Sequence, residues 1–344
     1  MKVIRIVLAV FALLLLAYFL GPKPDFGPLL SPEIEMLNIP LDELDAFVEN
    51  LEKSVHGIKP DNEARIIWYD SIPRKTKYSV VYLHGFSASQ MEGNPVHLDF
   101  AKRYGCNLYL SRLANHGIEG EEAMTDLTPN KYIRTAKEAI AIGQLLGDDV
   151  IVISCSTGGT LSLYLAGANP EMIDAMLLFS PNIEIRDQSS KILTKPWGLN
   201  IGKMIAGDFH NFDDDREPVV DQYWTTRYRI EALVALQYLL DETMTIETFQ
   251  KVTQPYLLGY YYKDENNQDP VVSVAAAREV PQFTSTPEDQ QRVIAFPDVG
   301  EHVMTSSITS KDLKSVEMEA FRFAEEVLGL QPIKLETDSR ILSP

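Results

Sequence analysis

The sequence predicts an α/β fold, a mostly parallel sheet with helices on both faces and a helical cap inserted late in the chain. Three observations predict it. Short apolar runs alternate with longer stretches at helical spacing, first from Tyr78 to Phe179 and again from Pro255 to Leu328. Strands joined through helices of that length form right-handed crossovers in a parallel sheet. One run, Val150-Ile151-Val152-Ile153, is apolar and β-branched throughout, as a strand covered on both faces must be. The alternation stops between Asn182 and Gln250, where aromatics such as Trp197, Trp224 and Tyr228 replace strand-like runs. That stretch is too long for an unstructured loop and is read as the inserted, mainly helical cap.

Length and charge narrow the function classes. A chain of 344 residues, 45% of them hydrophobic, can bury one large core. Its 31 lysines and arginines against 49 aspartates and glutamates give a formal charge of −18, which disfavours nucleic acid as a partner. Cys106 and Cys155 both lie in apolar settings and read as two buried thiols, not a disulfide. No cluster at metal-ligand spacing is present, and neither metal nor cofactor is expected; the acidic runs Glu119–Glu122 and Asp213–Asp215 read as solvated loops.

In chain order, Lys2 and Arg5 precede an uncharged run of 15 residues, Ile6 to Leu20, followed by Gly21-Pro22-Lys23-Pro24. The run is at the upper end of a signal core and a little short of the ~20 residues of a full span. Small residues at cleavage-site spacing are missing, which favours a retained anchor with the rest of the chain exported; a secreted or periplasmic protein is the alternative. Residues 21–40 are rich in proline and glycine and read as a stalk. Leu41, Leu44, Phe47, Val48, Leu51 and Val55 recur at helical spacing and make Leu41–Val55 an amphipathic helix. Ala64–Tyr69 and Tyr78–Leu83 read as strands, Pro95–Tyr104 as a helix, Cys106–Leu110 as a strand and Lys131–Leu146 as a long helix closed by Gly147. Asp149–Ser154 and Met172–Phe179 are the next strands. After the cap come a strand at Pro255–Tyr262, a helix near Val272–Glu279, a strand at Arg292–Phe296 and a last helix from Lys311 to Leu328. The domains are therefore residues 1–22 as anchor or signal, 23–60 as stalk and helix, 61–181 and 251–330 as core, 182–250 as cap and 331–344 as tail.

The chemistry starts where the apolar strand meets Ser154-Cys155-Ser156-Thr157-Gly158-Gly159 and a buried helix follows. A serine on so sharp a strand-to-helix turn needs small residues two positions before and after it, here Ser154 and Gly158. Its hydroxyl is a poor nucleophile until a base takes the proton, and the base must be oriented by a carboxylate. Among six histidines, His302 is best placed, in a loop just past the last strand. The carboxylate should follow the preceding strand; Asp269, before Pro270-Val271-Val272, is favoured on placement, with Asp264 the alternative. The Thr157 N–H at the helix start and the Phe86 N–H after His84-Gly85 are the candidate oxyanion donors. His116, Trp197 and Trp224 are candidates for lining the substrate pocket.

His84-Gly85-Phe86, Arg112-Leu113 with His116-Gly117, the serine elbow, Asp269-Pro270-Val271-Val272 and Gly300-Glu301-His302 together resemble the serine α/β hydrolases. Within them the chain is most similar to the carboxylesterase and monoacylglycerol lipase-like group. The resemblance covers roughly residues 64–330, and Ser154 in place of the first elbow glycine departs from it. It implies an eight-stranded, mostly parallel sheet, a cap over the site, and hydrolysis of carboxylic esters through an acyl-enzyme on Ser156. A small-molecule ester with an apolar acyl group is then the expected substrate. The same scaffold also serves acyl transfer and carbon–carbon bond hydrolysis, and non-catalytic binding proteins that have lost a triad member; here Ser156, Asp269 and His302 are all kept.

Overall fold

The computed structural model describes residues 2–120, 122–212 and 216–333. Glu121, the acidic run Asp213–Asp215 and the tail beyond residue 333 lie outside them. The chain opens with α1 (Lys2–Phe19), uncovered along its length and the one helix among the described residues long and apolar enough to cross a membrane. Residues 22–39 come next and do not stand off as a stalk: Phe26, Leu29, Ile34 and Leu37 pack against the core. A proline-rich extended chain leaves its amides and carbonyls without partners, and two asparagines of the body supply them in peptide-like fashion. Asn130 accepts the Leu30 N–H at 2.7 Å and donates to the Pro28 carbonyl at 2.9 Å. Asn169 does the same for the Ile34 N–H and the Pro32 carbonyl, at 2.8 and 2.9 Å.

The next helix, α2 (Leu41–Lys53), buries Leu44 and Val48. It precedes β1 (Arg65–Ile67), β2 (Thr76–Leu83), α3 (Val96–Tyr104) and β3 (Asn107–Leu110). Then α4 (Pro129–Leu146) starts at Thr128, whose hydroxyl accepts the Lys131 N–H, and runs directly into β4 (Gly147–Cys155). α5 (Thr157–Ala166) and β5 (Ala175–Phe179) complete the first half.

The inserted stretch holds α6 (Gly198–Ala206), β6 (Phe209–Asn211), α7 (Pro218–Tyr223), β7 (Arg227–Arg229), α8 (Ile230–Thr243) and α9 (Ile246–Phe249). The expectation of a stretch without strands needs correction, because β6 and β7 form an antiparallel ribbon with His210 opposite Tyr228. Three-residue strands carry too little alternation to register in a sequence pattern. Within the acidic run before α4, Glu122 is exposed and pairs with Arg229 at the end of the ribbon.

The core resumes with β8 (Tyr256–Asp264), β9 (Asn267–Gln268), α10 (Val274–Glu279), β10 (Gln291–Phe296) and α11 (Leu313–Glu326). The sheet runs β1-β3-β2-β4-β5-β8-β10, with β9 added antiparallel to the end of β8, eight strands in all. Every pairing along the row is parallel except that of β1 with β3. Alternate residues of the central strands feed two cores. Val81, Leu83, Val150, Val152 and Leu178 point to the side of α4 and α5. Val80, Tyr82, Ile151, Ile153 and Leu177 point to the side of α3 and α11. β4 sits between β2 and β5, in register Val81 to Val152 and Ile153 to Leu177. All four of its β-branched residues are essentially unexposed, each contributing about 1.5–3 kcal/mol of burial. Ser156 follows directly on the last residue of this doubly covered strand.

Candidate active site

Ser156 has φ 53° and ψ −120°, a left-handed conformation that a residue with a Cβ enters only under constraint. Three backbone bonds impose it. Its N–H donates to the Phe179 carbonyl at 3.0 Å, and its own carbonyl accepts the N–H groups of Gly159 and Asn182, each at 2.9 Å. The turn tolerates no bulk: a Cβ on Gly158 would come within 2.0 Å of the Leu83 carbonyl, and one on Gly159 within 2.7 Å of Pro181. Ser154, the departure from the first elbow glycine, fits with no exposed surface.

His302 lies in the loop after β10, and its Nδ1 is 2.7 Å from Asp269 Oδ2. Phe179 and Ser180, at the end of β5, link it to the serine: the Phe179 carbonyl takes the Ser156 N–H while the Ser180 hydroxyl donates to the His302 carbonyl at 2.8 Å. Asp269 is fully buried, and its other oxygen accepts the N–H groups of Val271 and Val272 at 2.8 and 3.0 Å. Burial works against the Asp269 charge, yet His302 and the two amides leave the carboxyl below the usual range. For His302, burial opposes the charged form, but the Asp269 carboxylate raises the imidazole above its usual value. With Asp269 ionised the proton resides on Nδ1, and Nε2 is left to accept. The alternative acid, Asp264, is exposed and bonds only within its own turn, to the amides of Asn266 and Asn267 and the Asn267 side chain. The geometry thus brings Asp269, not Asp264, to His302.

On the other side of the serine, a Cβ built on Gly85 would lie 2.8 Å from Ser156 Cβ, so the His84-Gly85-Phe86 turn presses on the elbow. The Phe86 N–H follows directly. The Thr157 N–H opens α5 and belongs to the first turn, whose amides have no intrahelical acceptor. The Phe86 ring packs edge-on against Tyr228 of β7 at 5.0 Å, and the Thr225 N–H donates to the Ser87 carbonyl at 2.7 Å, fastening the inserted stretch to this turn.

The candidate lining residues divide. His116 is fully buried, its Nδ1 bonded to the Ala114 carbonyl at 2.8 Å and its Nε2 to the Tyr132 hydroxyl at 3.0 Å. Burial holds it well below its usual pKa, so it is a neutral ring with both nitrogens occupied, behind Phe86. His84 is likewise neutral, pushed by burial to about 4, and braces the loop by accepting the Leu113 N–H at 3.0 Å. Trp224 is buried beside Thr225, and its carbonyl accepts Lys59 Nζ at 2.8 Å. The expectation for Trp197 is replaced by a different setting. It is 40% exposed and bonded to the N-terminal segment, its N–H to the Pro22 carbonyl at 2.7 Å and its indole N–H to the Ala17 carbonyl at 3.0 Å.

Sequence reasoning missed Glu92, a buried carboxylate that accepts the Gly85 N–H at 2.6 Å. The available signal was a lone acid nine positions after the end of β2, at Gln90-Met91-Glu92-Gly93.

No family model matches the sequence, and no curated protein matches it. Solved structures do. A structure from the work on LipS and LipT, two metagenome-derived lipolytic enzymes, is 17% identical with a TM-score of 0.62, over 77% of this chain and 98% of that one. Est1E from Butyrivibrio proteoclasticus with ferulic acid bound is 16% identical with a TM-score of 0.56, over 80% and 100%. The monoacylglycerol lipase of Paleococcus ferrophilus is 12% identical with a TM-score of 0.54, over 76% and 96%. At such identities the likeness is one of fold.

Proposed function

We propose, from the α/β-hydrolase fold that this chain has, that it is a serine hydrolase cleaving carboxylic esters through an acyl-enzyme on Ser156. The observation that carries this reading is the 2.7 Å contact of His302 Nδ1 with buried Asp269, tied through Phe179 and Ser180 to a serine in left-handed backbone. In this reading His302 Nε2 takes the Ser156 proton as Oγ attacks the ester carbonyl. The oxyanion that forms is met by the N–H groups of Phe86 and Thr157. Collapse breaks the carbon–oxygen bond, and the His302 proton goes to the leaving alcohol. Water, activated by the same imidazole, then releases the acid and restores the hydroxyl. The lipolytic and lipase descriptions of the structural neighbours support the reaction class. A fluorophosphonate probe tests it: the label should map to Ser156, and a chain left unlabelled under conditions that label a control serine esterase would reject the reading.

The aromatic contacts of Phe86 with Tyr228, and of Tyr228 with His210 at 5.1 Å, support an apolar acyl group beside the oxyanion turn. Each methylene that enters an apolar pocket adds at most ~0.8 kcal/mol. Along a series of p-nitrophenyl esters, kcat/KM is therefore expected to rise severalfold from acetyl to butyryl or hexanoyl. A flat or falling series would point to a small or polar acid instead.

We propose separately that a retained α1 holds the protein at a membrane. Its support is the joint at Trp197. A Cβ on Gly21 would come within 1.9 Å of the indole, and the indole caps a carbonyl in the last turn of α1. Tryptophan is also the residue favoured where a span meets the headgroups. The full-length chain is expected in the membrane fraction with residues 1–22 present by mass spectrometry. A soluble mature form starting near Lys23 would make the segment a cleaved signal.

A further inference from the structure

Beneath the elbow lies a carboxylate that the proposed reaction does not use. Glu92 is 2% exposed, in the short turn between β2 and α3. Its Oε2 accepts the Gly85 N–H at 2.6 Å and the Tyr82 hydroxyl at 3.1 Å, and the Cys155 thiol favours the charge of the same carboxylate. Its Oε1 lies on the serine's side of Gly85: a Cβ there would be 2.7 Å from that oxygen and 2.8 Å from Ser156 Cβ. The main chain around Glu92 is fixed as well. Thr305 Oγ1 donates to the Glu92 carbonyl at 2.7 Å, Ser306 Oγ to that of Met91 at 3.0 Å, and the Ser307 N–H to that of Asn94 at 2.8 Å. Thr305 to Ser307 follow His302 in its own loop, so one turn ties the loop of Phe86 to the loop of His302.

We propose that Glu92 is a positioning residue of this site: its carboxylate clamps the Gly85 amide, aiming the following N–H of Phe86 at the oxyanion, and its charge faces the imidazolium that forms on His302. The inference rests on the serine-hydrolase reading above. The clamp acts at the residue where it is most needed. The two N–H groups bracket a glycine, which has the widest choice of φ and ψ, and a short charge-assisted bond at one end limits where the other can point. Burial raises Glu92 to about 7, against the pull of the Gly85 amide, His302, Tyr82 and Cys155. His302 in turn faces Asp269, Glu92 and Glu301, all of which favour its charged form. Above about pH 7, where Glu92 is ionised, removing its charge lowers the pH at which His302 becomes a free base.

Two variants of the full chain in detergent test this with p-nitrophenyl butyrate. Glu92→Gln keeps the shape and removes the charge; Glu92→Ala removes the acceptor too. Glu92→Ala is expected to lose about 10²-fold in kcat with KM within about threefold, the size of a misdirected oxyanion donor. Glu92→Gln is expected to shift the acid limb of the kcat/KM profile to lower pH, a change that loss of packing alone does not produce. A folded Glu92→Gln with wild-type kcat and an unmoved acid limb overturns the proposal, as does an alanine variant whose loss is all in KM. If Glu92→Ala does not fold, the glutamine variant and its pH profile decide alone. A wild type that no fluorophosphonate labels would bring down the serine-hydrolase reading itself. A labelled wild type with an indifferent Glu92→Gln would remove only the role of Glu92.

Discussion

Ser156→Ala is expected to reduce ester hydrolysis by about 10⁴-fold or more while leaving the fold intact, because losing a triad nucleophile removes the covalent route and leaves only binding and the oxyanion donors. The fold should survive for a specific reason. Ser156 pays for its left-handed φ of 53° through its Cβ, and alanine keeps that Cβ, so the backbone strain is unchanged. The bonds that impose the turn, from Ser156 N–H to Phe179 and from Gly159 and Asn182 to the Ser156 carbonyl, are all main-chain and persist in the variant. Initial rates on p-nitrophenyl butyrate and thermal midpoints by circular dichroism measure the two halves of the expectation. A variant that keeps its midpoint and more than about a tenth of the rate would remove Ser156 from the nucleophile's role.

The parts of the molecule that were legible in the sequence are those where local pattern and tertiary role coincide. Val150–Ile153 read as a doubly covered strand because both faces of β4 are in fact packed, and each branched side chain records that fact. The elbow was legible because steric exclusion by Leu83 and Pro181 leaves glycine as the sole residue at 158 and 159. Asp269 could be favoured over Asp264 by placement, but not chosen outright, since the two differ only in what the fold brings to them. What stayed hidden depends on contacts between distant segments. The asparagine clamps at Asn130 and Asn169 join residues 100 and 135 positions apart, and no spacing rule spans that distance. Trp197 read as a pocket aromatic because composition cannot tell a ring that faces a substrate from one that caps a carbonyl at Ala17. Glu92 was silent for the same reason: its meaning comes from the Gly85 amide that the β2 turn carries to it.

Asp269→Asn is expected to lower kcat by about 10⁴-fold, whereas Asp264→Asn should stay within about twofold of the wild type. The asymmetry follows from the donors each carboxylate meets. The amides of Val271 and Val272 already claim Asp269 Oδ1, so an asparagine there would keep its carbonyl oxygen toward them and turn its NH₂ toward His302. His302 Nδ1 would then have to accept, the ring proton would move to Nε2, and the nitrogen needed to take the serine proton would be occupied. The pH profile gives an independent reading. Asp269 is what raises His302 against the opposing effect of burial, so removing its charge lets the imidazole pKa fall. The residual activity of Asp269→Asn should therefore have its acid limb at lower pH than the wild type, a shift opposite to any expected from unfolding in acid. Asp264, exposed and bonded within its own turn, has no such lever on His302. If Asp264→Asn lost more turnover than Asp269→Asn, the loop carrying the acid would have to pair with His302 in another arrangement, and the assignment of Asp269 would be withdrawn.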